Sequence, residues 1–144
     1  MTKLVDTFGR GHRDLRVSLT DRCNLRCSYC MPRDFAAWLP SEDLLTTEEL
    51  VEVIEVAVSQ GIDEIRLTGG EPLLRPDIVE IVARISSIEN APKLSMTTNG
   101  LALAKLAKPL VDAGLRRINI SLDTLDKDVF KKMTHRDRID DVFA

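Results

Sequence analysis

The chain has 144 residues, a formal net charge of -3, 44% hydrophobic residues and 30% charged residues. That length suits one ordinary domain and is short for two, and no apolar run reaches the roughly 18 residues of a membrane span. The start, MTKLVDTFGRGHRD, lacks an apolar signal-peptide core, and basic and acidic residues are interleaved, so there is no basic stripe for nucleic acid and the expectation is a soluble, cytoplasmic protein that binds neither nucleic acid nor membrane.

In chain order, LRVSLT (15–20) reads as a strand. TTEELVEVIEVAVSQG (46–61) reads as a helix: Thr46 and Glu49 form a capping-box pattern, Leu50, Val53, Ile54, Ala57 and Val58 recur at helical spacing, and Gly61 supplies the stop. EIRLT (64–68) is a second strand, and RPDIVEIVARISSI (75–88) a second helix with Pro76 in its first turn. LSMTTN (94–99) is a third strand. A third helix lies within 102–113 and ends at Gly114; Pro109 requires it to start late or to kink. RINISLD (117–123) is a fourth strand, KDVFKKM (127–133) a short helix, and RIDDVFA (138–144) the start of another. Strands alternating with helices at this spacing predict βαβ units and a parallel sheet. The fold class expected is α/β, a partial (βα) barrel of about four parallel strands with helices on one face.

The strands alternate instead of reading as continuous apolar runs. Leu15, Val17 and Leu19 oppose Arg16, Ser18 and Thr20; Ile65 and Leu67 oppose Arg66 and Thr68; Leu94 and Met96 oppose Ser95, Thr97 and Asn99; Ile118, Ile120 and Leu122 oppose Asn119, Ser121 and Asp123. Four apolar faces suit a layer of helices. Four polar faces on the other side predict an open or partial barrel with a wet, charged lumen. The competing reading is an antiparallel sheet with one solvated face. Arg16 and Arg66 converge on the lumen, where an unpaired charge is costly. A phosphate would satisfy their planar donor forks; the alternative is that each pairs with a carboxylate, Asp123 or Glu71.

All three cysteines, Cys23, Cys27 and Cys30, lie in CNLRCSYC, directly after the first strand. TGGEP (68–72), TTNG (97–100) and SLD (121–123) close the next three strands, where parallel α/β folds bind ligands. An odd cysteine count in a reducing compartment favours a metal centre over disulfides. Two centres fit. One is zinc held by the three thiolates and a histidine, His12 or His135. The other is a 4Fe–4S cluster, which with three protein thiolates keeps one iron open. Asp21, Arg22, Asn24 and Arg26 border the loop and are expected to shape it.

The pattern C-x3-C-x2-C after a first strand, with Tyr29 before the last cysteine and GGEP after the second strand, resembles the radical S-adenosylmethionine (SAM) superfamily. DLRVSLTDRCNLRCSYCMP, RLTGGEPLLRPD, MTTNG and LRRINISLDTLD resemble more narrowly its GTP 3′,8-cyclase family, from about residue 9 onward. The resemblance implies a radical SAM type of partial barrel, one core domain over 1–144 with a cluster loop at 21–32. It implies Cys23, Cys27 and Cys30 as ligands of a 4Fe–4S cluster whose open iron binds SAM. Tyr29 would lie near the adenine, Gly70 near the methionyl end, and Ser121 would contact SAM as well. Electron transfer to the sulfonium would yield a 5′-deoxyadenosyl radical. GTP would be the substrate, held by Arg16, Arg66 and Thr97, in the first step of molybdenum cofactor (molybdopterin) biosynthesis. An external electron donor and the next enzyme of that pathway would be partners. The family also carries later strands and a second, C-terminal 4Fe–4S cluster whose cysteines are absent here, so the expectation is an N-terminal part of such an enzyme, its last strand an exposed edge that invites a homodimer. Two other readings remain open at this stage: a radical SAM enzyme acting on a peptide or small metabolite, and a non-catalytic iron–sulfur or zinc-binding module.

Overall fold

The structure is a computed structural model that describes residues 4–35 and 37–144. Four strands, β1 (Asp14–Ser18), β2 (Glu64–Thr68), β3 (Lys93–Thr98) and β4 (Arg117–Ile120), form one sheet in the order β1-β2-β3-β4. Every neighbouring pair is parallel, which removes the antiparallel alternative. The registers keep the alternation in phase across the sheet. Arg16 lies beside Arg66, Arg66 beside Ser95, and Ser95 beside Arg117.

The apolar face carries the helices α1 (Thr47–Ser59), α2 (Ile78–Ser87) and α3 (Leu103–Asp112). Ile65, Leu67, Leu94 and Met96 from the sheet meet Leu50, Ile54, Ile78, Ile81, Ile85 and Leu110 from the helices in one buried core. Each such side chain contributes about 1.5–3 kcal/mol on burial, so this layer fixes the sheet. Two further helices, α4 (Lys127–Thr134) and α5 (Asp140–Phe143), follow β4, and α5 touches α3. Phe130 and Ile139 join Leu25 and Leu101 in a second small core that also touches Cys23 and Cys27. No helix of the described residues is long and apolar enough to cross a membrane.

Local signals explain most of the boundaries. Thr46 and Glu49 make both halves of the expected capping box, and Gly61 turns the chain with φ +99°. Pro109 lies inside α3. The second helix starts later than the pattern RPDIVEIV predicts. Arg75 is extended and Pro76 and Asp77 form a turn ahead of the helix, where the Arg75 and Asp77 side chains are engaged with other elements. Arg75 donates to Asp77 at 2.8 Å, to the Leu19 carbonyl at 3.0 Å and to the Leu45 carbonyl at 2.7 Å. Asp77 also accepts from the Thr47 hydroxyl at 2.5 Å. This hub ties the end of β1 to the starts of α1 and α2. The fourth strand is also shorter than RINISLD predicts, ending at Ile120, although the Ser121 amide still reaches the Thr98 carbonyl at 2.8 Å.

Candidate functional site

The C-terminal ends of all four strands open into one cavity of about 210 Å³. The loop after β1 supplies Cys23, Cys27, Tyr29 and Cys30. The turn after β2 supplies Gly69, Gly70 and Glu71, β3 supplies Thr97 and Asn99, and the segment after β4 supplies Ser121 and Asp123. Seven residues singled out in the sequence therefore share one pocket: the three cysteines, Tyr29, Gly70, Thr97 and Ser121. Cys30 is exposed, Cys23 and Cys27 are half-buried, and all three are free thiols.

The glycines in TGGEP are dictated by the cysteine loop. The Gly70 amide donates to the Thr20 carbonyl at 2.7 Å and the Glu71 amide to the Arg22 carbonyl at 2.8 Å. A Cβ on Gly70 would overlap the Arg22 and Asp21 carbonyls, and one on Gly69 would overlap the Thr20 carbonyl. These are backbone atoms that cannot step aside, so only glycine lets the two loops touch.

Glu71 is 1% exposed and is satisfied where it lies. It accepts from the Thr98 hydroxyl at 2.6 Å, the Asn99 amide at 2.8 Å and the Leu73 amide at 3.0 Å. Asn99, oriented by that bond, donates its side-chain amide to Asn24 at 2.7 Å and lies 4.0 Å from the Cys23 sulfur. A chain of contacts thus runs from the β2 turn through the end of β3 to the first cysteine.

The rest of the cysteine loop is held by α4. The Arg26 amide donates to the Thr134 carbonyl and the Ser28 amide to the Met133 carbonyl, each at 2.9 Å. Arg26 folds back onto the Cys23 carbonyl at 2.7 Å and lies 5.0 Å from the centre of the Trp38 ring. The Tyr29 hydroxyl crosses the pocket to the Asp123 carboxylate at 2.5 Å. That bond, with partial burial, pushes the phenol well above its ordinary value. Burial pushes the Cys23 and Cys27 thiols up.

Not every expected residue joins this pocket. Arg16 is exposed on β1, and Arg66 lines a separate cleft lower on the polar face with Ser95 and Arg117. Neither donates to Asp123 or Glu71: Asp123 holds Tyr29, and Glu71 holds Thr98 and Asn99. His12 lies near Asp6, with 3.8 Å between Nε2 and the carboxylate, and His135 closes α4 in a left-handed turn; neither lines the cysteine pocket. Among the described residues no three His, Cys, Asp or Glu side chains converge as a single metal ion requires. Sequence reasoning missed Asn99, Asp123 and α4 as supports of the loop. Their partners are 75 and 94 residues away for the two side chains, and no local pattern announces such pairs.

The profile of the Radical SAM superfamily matches residues 17–144. The chain belongs to the radical SAM superfamily. Among its relatives, a GTP 3′,8-cyclase of Streptomyces coelicolor is 59% identical over 140 residues, covering 96% of this chain and 41% of the relative. A GTP 3′,8-cyclase of Lactiplantibacillus plantarum is 51% identical over 142 residues, covering 99% of this chain and 43% of the relative. The chain thus spans about two fifths of the length of these radical SAM relatives. A solved structure, BtrN in complex with AdoMet and 2-DOIA, superimposes with a TM-score of 0.59 at 19% identity, over 96% of this chain and 56% of that one. At that identity it shows the shared fold, a radical SAM partial barrel.

Proposed function

We propose that this chain carries the cofactor-binding part of a GTP 3′,8-cyclase, the activity for which its relatives are named. The observation that carries the reading is the convergence of Cys23, Cys27, Cys30, Tyr29, Gly70 and Ser121 on one cavity at the C-terminal edge of a parallel sheet. In this reading residues 1–144 are one core domain, and the loop 21–32 holds a 4Fe–4S cluster through its three thiols.

The residues present fit such a group. The three thiols line one wall of the pocket, no disulfide occupies them, and the loop is fixed from below by α4 and from the side by Asn99. The thiols of Cys23 and Cys27 are held protonated by burial, so ligation releases protons there. When bound, the cluster and SAM supply one-electron reduction and a carbon-centred radical. The chain's own residues bind and orient. Tyr29, anchored on Asp123, presents its ring at the rim for the adenine. Gly70 leaves its backbone bare for the methionyl end, and Ser121 offers a hydroxyl. Arg16, Arg66 and Thr97 lie on the same polar face and take the GTP.

Partners on this reading are GTP, an external electron donor and the next enzyme of the molybdopterin pathway. The free edge of β4 suits association into a homodimer, and the location is the cytoplasm. The relatives are longer, so SAM cleavage is the readout that fits these 144 residues. Protein reconstituted anaerobically with iron and sulfide is expected to release 5′-deoxyadenosine from SAM under strong reductant. Full cluster loading with neither SAM binding nor cleavage would contradict the reading.

A further inference from the structure

The middle layer of the polar face holds three arginines in one row. Arg16, Arg66, Ser95 and Arg117 are register partners on successive strands. Parallel partners project to the same side of a sheet, and strands lie about 4.8 Å apart. The row therefore runs straight across the sheet, one layer below Thr68 and Thr97 at the pocket above. Arg66, Ser95 and Arg117 line one cleft.

Like charges set side by side destabilise a sheet. Among the described residues none of the three guanidiniums donates to a carboxylate, and the Arg66 Nε is buried with no partner at all. Of the carboxylates nearby, Glu64 holds Lys93 at 3.2 Å, Asp123 holds Tyr29, and Glu71 holds Thr98 and Asn99, while Asp14 lies one layer below Arg16 on the same face of β1. The adjacent Arg116 behaves differently. It donates to the Val111 carbonyl at 2.8 Å and so closes the end of α3. Both arginines of LRRIN line the cleft; Arg116 also closes a helix, whereas the exposed Arg117 makes no ion pair among the described residues.

We propose that Arg117 is a third phosphate-holding residue, and that the polyphosphate tail of the nucleotide lies across β1 to β4 along this row. The proposal rests on the reading of Arg16 and Arg66 as GTP contacts and extends it to a residue on the fourth strand. A chain of phosphates can meet guanidinium forks spread over three strand spacings, and each fork can grip it by two parallel bonds. Ser95, between Arg66 and Arg117, adds a hydroxyl at the centre of the row.

The test is calorimetric titration of the chain with GTP and with inorganic tripolyphosphate at low ionic strength. The variants are Arg117→Gln, Arg117→Lys, Arg66→Gln and, as a control on the helix layer, Arg84→Gln, each checked by circular dichroism. Arg117→Gln is expected to weaken both ligands about tenfold, as for one lost charge-assisted bond. Arg117→Lys should lie between it and the parent, and Arg84→Gln should match the parent. Parent-like affinity in Arg117→Gln beside a loss in Arg66→Gln overturns the assignment of Arg117 and leaves the phosphate site standing. Parent-like affinity in both, or no binding of tripolyphosphate by the parent, overturns the phosphate reading of the row and Arg117 with it.

Discussion

The Tyr29 hydroxyl donates to the Asp123 carboxylate at 2.5 Å, joining the cysteine loop to the segment after β4 across the mouth of the pocket. The bond spans 94 residues of sequence and links the first strand's loop to the last strand's end. A hydrogen bond to an ionised group contributes about 1.5–3 kcal/mol when well shielded. Tyr29 is 67% exposed, so the lower end of that range applies. Tyr29→Phe should cost about 1.5 kcal/mol and loosen the loop, seen as faster amide exchange over 24–31. Unchanged exchange there would show that α4, Asn99 and the β2 turn hold the loop without this bond.

Gly70 is a sharper test of the same loop. Gly70→Ala drives a methyl into the Arg22 and Asp21 carbonyls. Overpacking of this kind costs about 1–3 kcal/mol, and here it also displaces the cysteines. The variant should melt several degrees lower and take up less iron on reconstitution. Gly11→Ala is the control, because nothing lies within 4 Å of its added Cβ. Equal iron uptake by Gly70→Ala and the parent would remove the close approach of the two loops from the account.

Arg66 sets stability against binding. Its Nε is buried without a partner, and an unpaired buried donor costs about 1–3 kcal/mol. Arg66→Met keeps the volume and removes the orphan. The ligand-free variant should gain about 1 kcal/mol in urea unfolding while losing its response to GTP. A variant less stable than the parent would mean that the guanidinium is satisfied in solution.

These tests draw on different depths of the sequence. The four strands and three covering helices follow from alternation, helical spacing and caps, all local. The cysteine loop, TGGEP and the strand-end position of each are local as well, which is why the pocket lining was legible. Asp77 was not. RPD before an apolar run reads as a helix start at 75, but the Asp77 carboxylate is taken by Arg75 and Thr47, and the helix begins at Ile78. α4 was legible as a helix but not as the floor of the loop, because its carbonyls act on Arg26 and Ser28 more than 100 residues away. The pairing of Arg16 and Arg66 was visible as strand phase. The row through Ser95 to Arg117 required the register, which sequence periodicity does not set.

The Asp77 hub has its own pH signature. Burial pushes this carboxyl up, but hydrogen bonds from Arg75 and Thr47 outweigh it and hold the group below its ordinary 3.8. A carboxyl depressed in the folded state contributes stability above its ordinary value and loses it as pH falls through the folded value. Asp77→Ala should therefore cost about 1–2 kcal/mol near neutral pH. Urea titrations should show that difference shrinking below about pH 4. A constant difference down to pH 3 would assign the effect to packing instead.

On the proposed function, Cys23, Cys27 and Cys30 hold a cluster with one iron left for SAM. Electron paramagnetic resonance of the reduced, anaerobically reconstituted chain, with and without SAM, tests it most directly. The expected result is about four irons per chain, a reduced-cluster signal that shifts when SAM is added, and loss of both in the Cys27→Ala variant. A colourless protein holding one zinc, or a cluster whose signal ignores SAM, would contradict it.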